Sequence, residues 1–114
     1  MIIKSNNQYF KGDTMYYRVT KINVNEGHMD EVVSYMDSVS NRFSEFEGLQ
    51  NINCIQVSKT EVYAFACYKT EDQANNAAVL QKEILGGMAK FFSAPPELMT
   101  GPQLWHWSPE GVIV

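Results

Sequence analysis

His106 is the side chain in this sequence best suited to proton transfer. It stands in the segment Leu104-Trp-His-Trp107. An imidazole, whose unperturbed pKa is about 6.5, can take a proton from a phenol. The alternative is a plain strand residue that faces solvent or a subunit interface. The flanking Trp105 and Trp107 share one strand face, where they would either hold a flat substrate or pack in an interface. We take His106 as the candidate base and Trp105 as a candidate substrate contact.

Arg18 is a positive charge inside the predicted strand Met15 to Val24. An unpaired buried charge is costly, so the guanidinium must lie at an edge, pair with a helix carboxylate or bind an anionic ligand. Thr20 shares the strand face of Arg18 and Ile22, because side chains alternate along a strand. If that face meets the helices, both polar side chains point into the space between sheet and helices. Arg18 is therefore the candidate stabiliser of a bound anion, and Thr20 a candidate substrate contact.

Four further side chains are candidate substrate contacts. Tyr68 ends an apolar strand and would bring a hydroxyl to a cleft, although strand tyrosines are often simply half-buried. Met88, Phe91 and Phe92 follow Gly86-Gly87 and would form an apolar lid, with core packing as the alternative. The sequence contains two histidines and two cysteines without the spacing of a metal site, so we expect no metal and no cofactor.

The elements that must position these residues follow the order β-α-β-β-α-β. Alternating apolar residues indicate strands, and apolar residues at a spacing of three and four indicate helices. Gly48 is placed to end the first helix, and Thr70 to begin the second. The predicted elements are strand 15–24, helix 28–46, strands 49–58 and 61–68, a helix from 70 that weakens at 86–87, one turn at 88–92 and a last strand 103–107. This order predicts an α+β, ferredoxin-like fold with both helices on one face of an antiparallel sheet.

One strand, Val62–Tyr68, is apolar on both of its faces, whereas two helices can cover only one side of the sheet. A second copy of the chain would cover the other side economically, so we expect a homodimer with its two sheets face to face. The chain of 114 residues is long enough for one modest core. We expect a single domain at 15–108, between an N-terminal extension at 1–14 and a C-terminal tail at 109–114.

Composition excludes several classes of partner. The net charge of −4 argues against nucleic acid or an anionic membrane surface as the main partner. The sequence shows neither an apolar run long enough to span a bilayer nor a signal peptide. We therefore expect a cytoplasmic protein.

The two cysteines are expected to be free thiols. If Ser58 pairs with Glu61 in the hairpin, Cys54 lies opposite Phe65 and becomes a diagonal neighbour of Cys67 on one sheet face. Such neighbours are about 7 Å apart, which is long for a disulfide.

Three stretches of the chain resemble the antibiotic biosynthesis monooxygenase superfamily, whose members form dimeric α+β barrels. They are Thr20–Gly27 leading into the first helix, Phe46–Leu49, and Ala66–Ala74 entering the second helix. The resemblance covers Met15 to Trp107 and implies a site in the cleft between the sheet and the helices of each subunit. The superfamily includes cofactor-free quinone-forming monooxygenases, haem-degrading enzymes, and small-molecule isomerases and decarboxylases.

The haem-degrading branch fits this sequence poorly. That branch uses an asparagine late in its first strand, a tryptophan early in its second helix and a histidine ligand further along that helix. The matching places here fall near Thr20, Ala77 and Gly87, so none of the three residues is present. Haem degradation by that mechanism is disfavoured.

The resemblance and the candidate residues together predict a cofactor-independent monooxygenase that acts on a small aromatic or quinol-like molecule. In such a reaction the substrate's own carbanion or phenolate reduces oxygen, and the protein supplies a base, a dry pocket and a charge that stabilises the anion. The alternative is a non-catalytic dimer that binds a small apolar molecule.

Overall fold

The structure, a computed structural model, describes residues 2–3 and 14–113. In chain order the strands and α-helices are β1 (Ile2–Ile3), β2 (Tyr16–Asn23), α1 (Met29–Ser38), β3 (Leu49–Gln56), β4 (Glu61–Tyr68), α2 (Glu71–Asn76), α3 (Ala78–Gly86), β5 (Glu97–Pro102), β6 (His106–Ser108) and β7 (Gly111–Ile113). Two short 3-10 helices, Ser40–Glu45 and Ala89–Phe91, follow α1 and α3.

The first helix is shorter than its apolar pattern predicts, because serine side chains compete for its last carbonyl groups. The hydroxyl of Ser38 donates to the carbonyl oxygen of Tyr35, 2.6 Å away, and that of Ser40 donates to the carbonyl of Asp37 at 2.9 Å. Such local bonds weaken an α-helix, and the chain tightens into a 3-10 helix from Ser40 to Glu45. Gly48 then turns the chain with a φ of 79°, a conformation that suits glycine.

The second helix begins where the sequence predicts and is divided in the middle. The hydroxyl of Thr70 accepts a hydrogen bond of 3.1 Å from the backbone amide of Gln73, which is the N-cap contact expected of threonine. α2 ends at Asn76 and α3 begins at Ala78, after two asparagines that are weak helix formers. α3 ends at Gly86, as the glycine pair predicts.

The central sheet has four antiparallel strands in the order β3-β4-β2-β5. Together with α1 and the α2–α3 pair it forms the α+β, ferredoxin-like fold that the sequence predicts. Alternate residues of β2 and β4 pack beneath the helices, where Ile22 and Val62 join Val32 of α1 in one buried cluster. A second cluster joins Tyr68 of β4 to Ala74 of α2 and Ile84 of α3. These two clusters attach the helices to one face of the sheet.

The prediction of a last strand at Gln103–Trp107 is wrong. The strand that completes the sheet is β5, which starts directly after Pro95-Pro96 and pairs with β2 from Tyr16↔Pro102 to Lys21↔Glu97. Residues 106–108 form β6 instead, in a separate three-stranded sheet of order β1-β7-β6. Residues Glu97–Pro102 have little strand propensity of their own, so their pairing with β2 makes them the fourth strand of the central sheet.

The second sheet forms an arm built from both ends of the described chain. β1 pairs with β7 through Ile2↔Ile113 and Ile3↔Val112, and β7 pairs with β6. The Cα radius of gyration is 15.9 Å, above the value of about 13 Å typical of a compact domain of 100 residues. Most of the expected N-terminal extension, residues 4–13, lies outside the described residues. Within the described ranges, no helix is long and apolar enough to cross a membrane.

Candidate functional site

A cavity of about 70 Å3 lies between the central sheet and the helices. The helix-facing residues of β2, β3 and β4 form its floor, and α1, the 3-10 helix after it and α3 form its roof. Its lining is largely apolar and consists of Arg18, Thr20, Ile22, Met36, Phe43, Phe46, Ile52, Cys54, Ala64, Ala66, Tyr68, Gln81, Ile84, Leu85 and Met88. The strand face that carries Arg18 and Thr20 therefore meets the helices, which is the condition under which the sequence places both side chains at the site.

Arg18 is the charge at this site, and its side chain is only 5% exposed. One guanidinium nitrogen donates to the hydroxyl oxygen of Tyr68 at 3.1 Å, and a second donates to the backbone carbonyl of Ala74 in α2. Among the described residues no carboxylate lies within 4.0 Å of the guanidinium. A guanidinium has five N–H donors, so Arg18 can bind an anion without breaking either contact.

Tyr68 adds a second donor to the same wall. It is 1% exposed, and burial raises the pKa of its hydroxyl, while the nearby Arg18 guanidinium opposes part of that rise. The hydroxyl therefore stays protonated near neutral pH. Because its oxygen accepts the bond from Arg18, its proton remains available for a ligand in the cavity. Arg18 and Tyr68 together present hydrogen-bond donors of the kind that suit a negatively charged oxygen.

Two open grooves flank the cavity, one on each side of the sheet–helix layer. The first, which we call the Arg18 groove, has a volume of about 530 Å3 and lies between α3 and β5. It is lined by Arg18, Ala78, Gln81, Lys82, Leu85, Gly86, Ala89, Phe92, Pro96 and Leu98. The second, the Cys54 groove, has a volume of about 540 Å3 and lies between α1 and β3. It is lined by Val33, Met36, Asp37, Ser40, Phe43, Leu49, Gln50, Asn51, Ile52 and Cys54.

The structure brings together some of the candidate residues from the sequence. Arg18, Thr20, Tyr68 and Met88 line the cavity, and Phe92 lines the Arg18 groove. Phe91 instead packs in the core against the first buried cluster, with its ring 5.8 Å from that of His28. The short 3-10 helix carries Phe91 away from the cavity, so the core-packing alternative describes this residue.

His106 and Trp105 do not line the cavity or its grooves. His106 belongs to β6, where it pairs with Ile113 of β7, and Trp105 precedes it with 59% of its surface exposed. Both lie beyond the strand that closes the sheet, because that strand is β5 and not 103–107. The assignment of His106 as the base and of Trp105 as a substrate contact therefore finds no support in the geometry of one subunit.

Sequence reasoning missed three side chains of α3 that face the site. Gln81 and Leu85 line both the cavity and the Arg18 groove, and Lys82 lines the groove. Gln81 and Leu85 are four residues apart and so share a helix face, which is the signal that could have found them. Nothing in the sequence indicates that a groove runs beside Lys82.

The cysteines are free, as predicted, although their predicted pairing is wrong. Cys54 lies opposite Ala64 and Cys67 opposite Asn51, because the hairpin turns one residue earlier and Val57 bonds to Glu61. The two thiols consequently point to opposite faces of the sheet. Cys54 is exposed and Cys67 is buried.

The described residues contain no group of three or more His, Cys, Asp or Glu side chains placed to hold a metal ion. None of the described residues that line the cavity is a histidine or a carboxylate.

Comparison with known proteins identifies the fold. No family model matches the chain, and no curated protein matches it. Solved structures do match over most of the chain. A protein from Nitrosomonas europaea, proposed to be an antibiotic biosynthesis monooxygenase, superimposes with a TM-score of 0.69 and 16% identity over 85% of this chain and 96% of its own.

Two further solved structures also match over most of the chain at low sequence identity. A conserved protein from Methanosarcina mazei gives a TM-score of 0.69 with 15% identity, over 80% of this chain and 94% of its own. A mutant of SnoaB, a cofactor-independent oxygenase from Streptomyces nogalater, gives a TM-score of 0.63 with 16% identity, over 81% of this chain and 96% of its own. With a four-stranded sheet covered by helices on one face, this chain has the fold of the antibiotic biosynthesis monooxygenases.

Proposed function

We propose that the protein is a cofactor-independent monooxygenase for a small aromatic or quinol-like molecule, which Arg18 holds as its anion. The observation that carries the proposal is a buried guanidinium that borders an apolar cavity and has no carboxylate within 4.0 Å among the described residues. Burying such a charge without a counter-ion is costly, and a bound anion would offset that cost. The same fold in SnoaB, a cofactor-independent oxygenase, supports the reaction class.

The substrate's own electrons drive the proposed reaction. A hydroxyarene anion transfers one electron to dioxygen, and the resulting substrate radical and superoxide combine at a ring carbon to form a peroxide. The peroxide takes up a proton, and loss of the remaining C–H proton with cleavage of the O–O bond gives a carbonyl and water. One dioxygen and one hydroxyarene thus yield one quinone and one water. The four electrons that reduce dioxygen come from the substrate.

Arg18 removes the need for a dedicated base in the cavity. A positive charge within about 4–6 Å lowers the pKa of an acidic group by about 1–3 units, so a bound phenol ionises more readily than the same phenol in water. Tyr68 accepts a hydrogen bond from Arg18 and so holds the guanidinium that meets the phenolate oxygen. His106 would reach this site only if a partner subunit brought it there.

We further propose that the protein is a homodimer in which the open faces of the two sheets meet. Tyr17, Val19 and Phe65 lie on the face opposite the helices, since β2 and β4 alternate and pair residue by residue. Met99 of β5 extends this surface and is 56% exposed. A contiguous apolar face of this kind seldom stays exposed in a monomer.

A non-catalytic binding protein is the second candidate, and one observation favours it. No histidine or carboxylate among the described residues lines the cavity, so a bound ligand would meet hydrogen-bond donors but no ordinary proton acceptor. An anion receptor without turnover has the same requirements as the first step of the oxygenase.

Oxygen consumption with a panel of naphthols, anthrones and hydroquinones separates the two functions. The monooxygenase consumes one dioxygen for each quinone formed, releases no hydrogen peroxide and places one atom of labelled dioxygen in the product. Thermal stabilisation of the protein by the same compounds, without oxygen uptake above the uncatalysed rate, would support the binding protein and overturn the oxygenase.

A further inference from the structure

The cavity adjoins a groove on each side of the sheet–helix layer. Arg18, Gln81 and Leu85 line both the cavity and the Arg18 groove. At the other end, the cavity and the Cys54 groove share four side chains, which are Met36, Phe43, Ile52 and Cys54. A small cavity therefore lies between two much larger grooves.

The size of each compartment limits what it can hold. An engineered apolar cavity of about 150 Å3 holds one benzene molecule, about twice the volume of 70 Å3 found here. An aromatic substrate therefore does not fit in the cavity, whereas a diatomic gas does. The Arg18 groove, at about 530 Å3, falls within the range of about 300–1,000 Å3 that is usual for small-molecule sites.

The charges at the two edges differ in sign. The charged residues that line the Arg18 groove among the described residues are Arg18 and Lys82, both positive. The charged residue that lines the Cys54 groove, within the same part of the chain, is Asp37. An aromatic anion is attracted to the first groove and repelled from the second. A neutral gas is indifferent to both charges.

We infer that the cavity is a binding site for dioxygen, which enters from the Cys54 groove while the aromatic anion occupies the Arg18 groove. The inference rests on the proposed oxygenase function and adds a separate site for its second substrate. Apolar cavities tend to stay dry and accept apolar gases, and Ile22, Ile52, Ile84 and Met88 give this cavity such walls. Dioxygen would then lie beside Arg18, where the superoxide formed by electron transfer is stabilised.

Xenon binding and two variants, each of which replaces an alanine by leucine, test this inference. Crystals of the wild-type protein under xenon pressure should show xenon in the cavity. Ala64 lines the cavity but neither groove, and Ala78 lines the Arg18 groove but not the cavity. Ala64→Leu should remove the xenon and raise KM for dioxygen about tenfold, leaving KM for 1-naphthol unchanged. Ala78→Leu, the matched control, should raise KM for 1-naphthol and leave xenon binding and KM for dioxygen unchanged.

The outcomes separate this inference from the proposed function. Oxygen uptake without xenon in the cavity would overturn the dioxygen site and leave the monooxygenase standing. Xenon in the cavity without oxygen uptake would contradict the monooxygenase and, with it, the role of dioxygen. If Ala64→Leu does not fold, the smaller Ala64→Val should give the same pattern with a smaller shift. An equal rise of both KM values in either variant would contradict two separate sites.

Discussion

Arg18 and Lys21 are two positive charges on one strand, three residues apart, and the sheet places them on opposite faces. Lys21, on the open face, has its ammonium 3.7 Å from a carboxylate oxygen of Glu61 and 3.8 Å from one of Glu97. Arg18, under the helices, is almost fully buried and has no carboxylate within 4.0 Å among the described residues. The half-buried charge of Lys21 is thus neutralised, whereas the buried charge of Arg18 is not. This difference is the basis on which we propose Arg18 as the ligand-binding charge.

Replacing the buried charge should give the largest effect. We expect Arg18→Met to lower the rate of oxygen uptake with 1-naphthol about a hundredfold, since removing one donor to a developing anion costs about 10²–10³ in kcat. Lys21→Met is the matched control on the open face, and its rate should stay within about twofold because Lys21 lies on the sheet face away from the cavity. Equal losses in the two variants, with both proteins folded, would remove the distinction between the two charges.

The open face should respond to charge at its centre. Phe65 lies between Val19 of β2 and Asn53 of β3, so Phe65→Glu would place a charge within the proposed dimer interface. Burying an unpaired charge is costly, and we expect the variant to be monomeric at micromolar concentration. Light scattering of the wild type and of Lys59→Glu, a substitution in the exposed hairpin loop, should give the dimer mass. A wild-type monomer would contradict the dimer.

Removing the second donor in the cavity should have a moderate effect. Tyr68→Phe deletes a hydroxyl that accepts from Arg18, and we expect affinity for 2-naphthoate to fall about 2–12-fold, as for one hydrogen bond. The pKa of Tyr68 is raised, so the wild-type affinity should not change between pH 7 and about 9, below the ordinary tyrosine pKa of about 10. Tyr63→Phe, on the open face, is the control. A wild-type affinity that decreases over this pH range would indicate that Tyr68 ionises there.

The thiols of Cys54 and Cys67 should differ in how fast they react with a disulfide reagent, although both should react once the protein is unfolded. Cys54 is exposed, and desolvation raises the pKa of its thiol, so it should react with a disulfide reagent in the folded protein at a rate that increases with pH. Cys67 is buried on the other face and should react only on unfolding. The denatured, unreduced protein should titrate two thiols. A result of none would indicate a disulfide and contradict the observed register.

Much of the fold and part of the site could be predicted from the sequence. The apolar periodicity located both helices and the hairpin, and the alternation of β2 placed Arg18 and Thr20 on one face with Ile22, which in the structure lies under the helices. Both results depend on local patterns that the three-dimensional structure preserves. The last strand was missed because Leu104–Trp107 has the composition of a strand, whereas Glu97–Pro102 becomes one only by pairing with β2.

That single error also determined the assignment of His106. A last strand at 103–107 would have placed the histidine in the central sheet, whereas the structure places it in the arm. The one-residue error in the hairpin register likewise placed the two cysteines on the same face, because a shift of one residue moves a side chain to the other face of a sheet. Long-range pairing and exact register are the features that local patterns do not encode.

The central claim is that the guanidinium of Arg18 binds an anionic ligand, and a pair of ligands tests it most directly. 2-Naphthoate and 2-naphthamide have nearly the same shape and differ in charge. Calorimetric titration of both therefore measures how much the ligand's charge contributes to the free energy of binding. For the wild type we expect the carboxylate to bind at least about tenfold more tightly, which corresponds to the value of about 1.5–3 kcal/mol typical of hydrogen bonds to charged groups. Arg18→Met should abolish this preference. Equal affinity of the wild type for both ligands, or the same preference in the variant, would contradict the account.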